Sequence, residues 1–236
     1  MASDETLADL FSSPEEQRAY EEFCEQQERA AEFRLDQPAL VCRWRMAHRT
    51  VPLLNRHIRA LSQRTVNGAP LTHNMLSWAK QHVEWSLAEG DYPDPDGVLM
   101  LVIDTNGNAA MTVGAYEPLS DTSVEALFAR AELAAAERAE TGVAPEVLCS
   151  VCEGTLFVAA DADEHVCGSM TLVEQLAATC GHDVLRAGAG AALEGACALV
   201  SDEHGVVPVA SAGEANAQED AALVRFLADG VAKLFS

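Results

Sequence analysis

The sequence predicts a mixed α and β (α+β) protein. Two apolar runs, 98–104 and 109–116, flank a turn that contains Asn106-Gly107, a dipeptide typical of β-hairpins. Other segments, such as 123–140, repeat their apolar residues at helical spacing. The chain has 236 residues, of which 49% are hydrophobic, so it can bury one large core or two smaller ones. One or two domains are therefore expected.

The chain is predicted to open with an acidic amphipathic helix over residues 13–34. Ser13 is a suitable N-cap, Pro14 suits the first turn, and Glu16 completes a capping box. The apolar residues of this helix fall close to helical spacing, so we expect it to contact the body of the protein or a partner subunit. These apolar residues are Tyr20, Phe23, Ala30 and Phe33.

Residues 39–46 have the alternation of a β-strand with one polar face. Arg43 and Arg45 fall on the polar side, and apolar residues occupy the other. Two neighbouring arginines on such a face require carboxylates or a ligand anion nearby. Asp202 and Glu203 are the candidate carboxylates.

The later elements are assigned from periodicity, capping residues and turn dipeptides. In chain order they are a helix over 52–65, a turn at 67–70, a helix over 71–89, an acidic loop over 89–97, the hairpin, the helix over 123–140, two strands within 144–160 that turn at Glu153-Gly154, a helix from 168 that stops at Gly181 and leads into a short strand, two strands within 196–211, and a final helix over 218–235.

The net charge of the chain limits the kinds of partner that it can bind. Asp and Glu number 37 against 15 Lys and Arg, a net charge of -22, so phosphate backbones and anionic membrane surfaces are repelled. No apolar segment reaches membrane-spanning length and the first residues lack a basic, then apolar, leader, which predicts a cytoplasmic protein. An anion would have to bind at a local group of basic residues. Residues 44–61 are the candidate segment because they hold four arginines and two histidines.

Seven cysteines at irregular spacing are unlike a secreted disulfide framework, so most are expected to be small buried side chains. One group has the chemistry of zinc ligands: a CxxC at Cys149 and Cys152 precedes an HxC at His165 and Cys167. The second half of this pattern departs from the usual zinc knuckle. We therefore prefer buried side chains here and keep a zinc-stabilised binding module as the alternative.

Three stretches of the second half carry a resemblance: GSMTLVEQLAATCGHDVLRAG (168–188), SDEHGVVPV (201–209) and the C-terminal helix. They resemble the second domain of the class IV aminotransferases, the pyridoxal-phosphate (PLP) enzymes of fold type IV, which include branched-chain and D-amino acid aminotransferases and aminodeoxychorismate lyase. In that family the N-terminal amides of a helix hold the PLP phosphate and a second turn completes the phosphate cup. The resemblance places Gly168, Ser169, Met170 and Thr171 at the first turn, and Ser201 and Asp202 at the second.

The first half resembles the family more weakly. Residues 44–61 are similar to the segment from which the family brings a cation to the cofactor phosphate, which makes Arg45 and Arg59 further candidates for a vestigial phosphate site. The resemblance implies a homodimer and a two-domain architecture with an added N-terminal acidic helix. The implied divisions are an extension over 1–37, a small α/β domain over 38–119 and a larger fold-type IV domain over 120–236.

Three departures from the family argue against ordinary transamination. The family forms a Schiff base through a lysine near the start of the helix at 123–140, where this chain has Val124, and its two lysines, Lys80 and Lys233, lie elsewhere. The chain also lacks the strand and turn that carry the family's glutamate for the pyridine nitrogen. The position of the family's phosphate arginine holds Ala60.

The sequence therefore favours a catalytically degenerate relative with no catalytic residues, in which no PLP is expected unless the family activity is retained. Asp202 in the second turn would itself repel a phosphate. The cleft between the domains would bind another small, anionic ligand or be filled by side chains. Two other classes stay open. One is an active PLP-dependent aminotransferase or aminodeoxychorismate lyase-like enzyme that uses Lys80, and the other is an interaction protein whose acidic helix covers a partner.

Overall fold

The structure is a computed structural model that describes residues 13–28, 35–90, 92–188, 194–210 and 217–236. Its elements, in chain order, are α1 (Pro14–Glu28), β1 (Pro38–Arg45), α2 (Leu54–Leu61), β2 (Thr65–Val66), β3 (Ala69–Pro70), α3 (His73–Glu89), β4 (Val98–Asp104), β5 (Ala109–Gly114), α4 (Val124–Thr141), β6 (Glu146–Cys152), β7 (Thr155–Val158), α5 (Gly168–Thr179), β8 (Val184–Arg186), β9 (Ala196–Ser201), β10 (Gly205–Pro208), α6 (Ala217–Ala232) and a 3-10 turn (Lys233–Phe235).

The first half forms a three-stranded antiparallel sheet in the order β1-β4-β5. The alternation predicted for β1 is observed: Cys42 and Trp44 are buried, whereas Arg43 between them is exposed. The buried face packs with α3, through residues such as Ala79 and Val83, into one hydrophobic cluster. The predicted hairpin joins β4 to β5.

The second half forms a five-stranded sheet in the order β10-β9-β6-β7-β8, in which only the β7–β8 pair is parallel. β6 is buried on both faces. Val147 and Val151 join a cluster with α5 and α6, while Leu148 joins a second cluster with Leu127 of α4. The sheet is therefore covered by α5 and α6 on one side and by α4 on the other. The domain boundaries at 37/38 and 119/120 stay a prediction.

The acidic helix begins as predicted and contacts the body of the protein. The backbone amide of Glu16 donates to Ser13 Oγ at 3.2 Å, and Tyr20 is buried with its hydroxyl donating to Gln81 of α3. The predicted end of this helix lies outside the described residues, as do Ala30, Phe33 and the side chain of Phe23. Within the described ranges, no helix is both long and apolar enough to cross a membrane.

The helix predicted over 52–65 is shorter in the structure. Leu53 has a left-handed φ of 64°, so α2 begins only at Leu54 and ends at Leu61. The turn predicted at 67–70 is a small hairpin between β2 and β3, in which Asn67 and Gly68 have φ values of 51° and 75°. These corrections shorten α2 to the part that contacts α5.

Candidate functional site

The main cleft lies where the two halves of the chain meet. It has a volume of about 360 Å³ and is lined by β1, α4, the start of β6 and the turn that joins β9 to β10. Charged side chains of both signs line it. They are Arg43, Arg64, Arg130, Glu137, Glu146, Asp202 and Glu203.

Each arginine of this cleft has a carboxylate partner. The nitrogen to oxygen distances are 2.9 Å for Arg43 with Glu203, 2.9 Å for Arg64 with Glu137, and 2.6 Å for Arg130 with Glu146. The basic charges that line the cleft are thus balanced inside the protein. The prediction that a carboxylate pairs with the arginines of β1 agrees with the Arg43–Glu203 contact.

The carboxylate of Asp202 occupies the N-terminus of α5. Its Oδ1 accepts a hydrogen bond from the Ser169 amide at 2.7 Å, and its Oδ2 accepts one from the Gly168 amide at 3.3 Å. Oδ2 also lies 3.2 Å from Nδ1 of the buried His57. A helix N-terminus attracts anions because its amides are unpaired and its dipole is positive there. This anion position is therefore filled by the protein's own side chain.

The surroundings of Asp202 keep its carboxyl group ionised. Burial alone would raise the pKa of Asp202, but the electrostatic interaction with His57 and the hydrogen bond from the Ser169 amide outweigh it. The net result is a pKa below the ordinary value for aspartate. A buried carboxylate with these partners holds α2, α5 and the β9–β10 turn together.

Backbone contacts fix the turn that carries Asp202. The amide of Arg45 donates to the Asp202 carbonyl at 3.0 Å, and the amide of His204 donates to Ser201 Oγ at 2.9 Å. On the other side of the carboxylate, His57 stacks on Trp44, with ring centroids 5.4 Å apart and ring planes 9° apart. The histidine ring is thereby held against the N-terminus of α5.

Three of the four residues predicted at the first phosphate turn make different contacts in the structure. Ser169 presents its backbone amide to Asp202. Met170 is 0% exposed, and its side chain belongs to the core under α5. Thr171 Oγ1 donates to the Gly168 carbonyl at 2.7 Å and accepts from Arg56 Nη1 at 2.9 Å, which turns it away from Asp202.

The other predicted site residues lie at different places in the structure. Ser201 lines the main cleft and caps its own turn. Arg59 is exposed on α2 and lines, with Thr171, a groove apart from the main cleft. Arg45 turns from the cleft and places its guanidinium over the ring of Tyr116. The structure therefore brings Ser169 and Ser201 to Asp202, whereas the side chains of Arg45, Arg59, Met170 and Thr171 make other contacts.

Neither lysine lies at the cleft. Lys80 is on α3, whose buried face packs against the three-stranded sheet, and Lys233 is in the terminal 3-10 turn. Neither is among the residues that line the cleft. At the start of α4, where the resemblance implies a lysine, Val124 is 45% exposed.

Within the described residues, the structure does not bring three of the candidate zinc ligands together at one position. Cys149 and Cys152 are three residues apart on β6, so their side chains point to opposite faces of the sheet. Cys149 and Cys167 are both buried in the core cluster under α5. Nowhere in the described part of the chain do three Cys, His, Asp or Glu side chains converge on a metal position.

Thiol labelling should separate the two interpretations of these cysteines. Burial raises the pKa of Cys149 to about 12, with a smaller contribution from Cys197, so almost no reactive thiolate forms at neutral pH. We expect a thiol reagent to label the exposed Cys180 rapidly in the native protein and to leave Cys149 unlabelled, as read by peptide mass mapping. Added zinc should change neither rate. Zinc-dependent protection of Cys152 would contradict this assignment.

Solved aminotransferase structures share the architecture of this chain. A proposed branched-chain amino acid aminotransferase from Thermotoga maritima matches with a TM-score of 0.54 and 14% identity over 88% of this chain and 92% of that one. A fold IV-transaminase from Curtobacterium pusillum matches with 0.52 and 10%, over 86% and 91%. A hypothetical aminotransferase from Mycobacterium tuberculosis, in its PLP-bound form, matches with 0.51 and 12%, over 86% and 95%.

No protein-family model matches the sequence, and no curated protein matches it. The similarity to the aminotransferases is therefore seen in the three-dimensional structure, while the sequence identity is low. It extends over most of this chain and over most of each solved structure. The predicted fold is confirmed: this chain has the fold of the fold-type IV aminotransferases.

Proposed function

We propose that this chain is a non-catalytic protein that binds no PLP and acts by binding a small molecule or a partner protein. Asp202 is the observation that carries the proposal. Its carboxylate accepts hydrogen bonds from the two amides, of Gly168 and Ser169, at which the family resemblance would place the cofactor phosphate. An internal anion thus stands where the ligand's anion would bind.

The residues around Asp202 do not fit a PLP phosphate. Two unit charges of the same sign about 4 Å apart repel each other by about 4 kcal/mol at the effective dielectric of a protein surface. A phosphate carries more than one charge, and the nearby arginines that could offset it are each paired with a glutamate. Displacing the carboxylate would in turn leave His57 without its partner.

The competing proposal is a PLP enzyme that uses Lys80. The aminotransferase from Mycobacterium tuberculosis was solved with PLP bound, so the fold accommodates the cofactor in that protein. In this chain Lys80 is carried by α3, on the buried side of the three-stranded sheet, and does not line the cleft. This placement supports the non-catalytic proposal. The homodimer and the vestigial phosphate site, with Arg45, Arg59, Ser169, Met170, Thr171 and Ser201 as its candidates, stay predictions from the resemblance.

Borohydride reduction after incubation with PLP tests the proposal directly. A Schiff base between PLP and a lysine becomes a stable amine on reduction, which adds a fixed mass to the chain. We expect the native protein to show no such mass gain by intact mass spectrometry and no visible absorbance of a bound cofactor. A known PLP enzyme serves as the positive control, and the urea-unfolded chain shows that its lysines can react.

A mass gain on the native protein would overturn the proposal if peptide mapping placed it on Lys80 and if Lys80→Arg abolished it. Lys233→Arg is the matched control, because Lys233 lies in the exposed terminal turn. Labelling that is lost only in the control variant would report surface modification and would leave the proposal standing.

A further inference from the structure

A second cavity, of about 230 Å³, lies beside the β9–β10 turn and shares no lining residue with the main cleft. It is formed where the end of β1, the residue stretch after β5, the start of β10 and the C-terminal helix meet. Its principal side chains are Arg45, Tyr116, His204, Val206 and Phe235. Two aromatic rings and one cation therefore face the same space.

Arg45 is the unusual member of this cavity. Its guanidinium carbon lies 3.0 Å from the centroid of the Tyr116 ring and 5.6 Å from that of Phe235. Such contacts place the charge between aromatic faces. The three arginines of the main cleft each pair with a glutamate, but among the described residues Arg45 has no carboxylate partner. This holds although the chain has 37 acidic residues.

Two polar atoms at this cavity are buried without a hydrogen-bond partner in the described protein, Arg45 Nε and His204 Nδ1. The side chain of His204 is only 5% exposed, and its other nitrogen lies 3.9 Å from Glu203, too far for a hydrogen bond. Buried polar groups in folded proteins are nearly always hydrogen-bonded. Within the described residues, these two atoms are therefore free to bind a small molecule that enters the cavity.

The charge on this surface selects the class of ligand. Burial, together with the smaller effects of the charges of Arg130, Arg43 and Arg45, lowers the pKa of His204 to about 4, so its ring is neutral near pH 7. A neutral imidazole can donate from Nδ1, while Arg45 stays cationic. Among the described residues, no acidic side chain lines the cavity, which disfavours cations. The aromatic rings and Val206 add an apolar wall.

We propose that this cavity binds a small carboxylate with a planar apolar body, such as an aromatic monocarboxylate. The carboxylate accepts hydrogen bonds from the guanidinium of Arg45 and from Nδ1 of His204. The body of the ligand lies along Tyr116 and Phe235. The volume limits the ligand to about one aromatic ring. The proposed binding does not use the Asp202 carboxylate, so different experiments test it and the non-catalytic proposal.

Benzoate is the probe, and isothermal titration calorimetry of the full chain is the measurement. We expect saturable binding with a Kd of about 1 mM or tighter, a reasonable affinity for a ligand of this size. Benzamide, which has the same shape without the charge, should bind at least tenfold more weakly. Acetate, which has the charge without the ring, should also bind at least tenfold more weakly than benzoate. Equal binding of all three, or no saturable binding of benzoate, would overturn the proposal.

Single-residue variants test whether benzoate binds in this cavity. Arg45→Gln should weaken benzoate binding at least tenfold, and His204→Asn should weaken it measurably while leaving the cation in place. The matched control is Arg59→Gln, because Arg59 is an exposed arginine in a different groove. If Arg45→Gln does not fold, Phe235→Ala removes the apolar wall near the C-terminus instead. Full binding in both His204→Asn and Phe235→Ala would place the benzoate elsewhere and refute the assignment.

Discussion

Replacing Asp202 with alanine should lower the melting temperature by about 6–12 °C. Removing the Asp202 carboxylate leaves buried hydrogen-bond donors without an acceptor, and each such donor costs about 1–3 kcal/mol, so the variant should lose about 3 kcal/mol. In a chain of this size each kcal/mol shifts the melting temperature by about 2–4 °C. The partners left behind are the Gly168 and Ser169 amides and the ring of His57. Thermal unfolding followed by circular dichroism measures the shift.

Two further variants show whether the loss of stability in Asp202→Ala comes from the buried carboxylate. Asp202→Asn keeps the shape and one acceptor oxygen, so its loss should fall between those of the wild type and Asp202→Ala. Glu203→Gln breaks the neighbouring contact with Arg43, whose side chain is 56% exposed, and should cost under about 1 kcal/mol. If Glu203→Gln proved as costly as Asp202→Ala, the special role assigned to the buried carboxylate would be wrong.

Anion rescue provides an independent readout of the same position. In Asp202→Ala the amides at the start of α5 are free to bind an external anion, so sulfate should raise the melting temperature more than sodium chloride of equal ionic strength. In the wild type the two salts should act alike, because the internal carboxylate already occupies the site. Specific stabilisation of the wild type by sulfate or phosphate would count against the non-catalytic proposal.

Local signals in the sequence predict the elements of this fold well. The capping box at Ser13, the alternation along β1 and the turn at Asn106-Gly107 each act over a few residues, and each is present in the structure. The start of α2 differs from the prediction because Leu53 adopts a left-handed conformation that a leucine rarely takes. The pairing of β6 with β9 joins distant segments, and no local pattern encodes it.

The site was predicted only in part, for a similar reason. The resemblance placed Asp202 in the second of the two turns that form one phosphate cup, and the charge pattern anticipated the contact between Arg43 and Glu203. The contact between Asp202 and His57 depends on how α2 meets α5, which sequence spacing does not reveal. The burial of Met170 follows from the helical phase of α5 against the sheet, which can be judged only once that sheet is known.

Replacing Gly168 with alanine tests the contact between α2 and α5 without removing a charge. A Cβ atom there would lie 2.6 Å from His57 Nδ1 and 3.0 Å from the His57 backbone nitrogen. The backbone atom has little room to yield, so α2 and α5 must separate, at a cost of about 3 kcal/mol. We expect a fall in melting temperature of about 6–12 °C. No hydrogen-bonding group is deleted, so the loss would report steric fit alone.

Gly230→Ala is the matched control, since Gly230 also lies in a helix but its added Cβ would meet only Leu176 Cδ1, at 3.6 Å. Alanine favours a helix over glycine by about 1 kcal/mol, so this variant should be about 2–4 °C more stable than the wild type. Because Gly168 and Asp202 both act through His57, the double variant Gly168→Ala/Asp202→Ala should lose less stability than the sum of the two single losses. Strict additivity would mean that the steric fit and the carboxylate stabilise separate parts of the fold, and the junction of α2 with α5 would then not be a single cooperative contact.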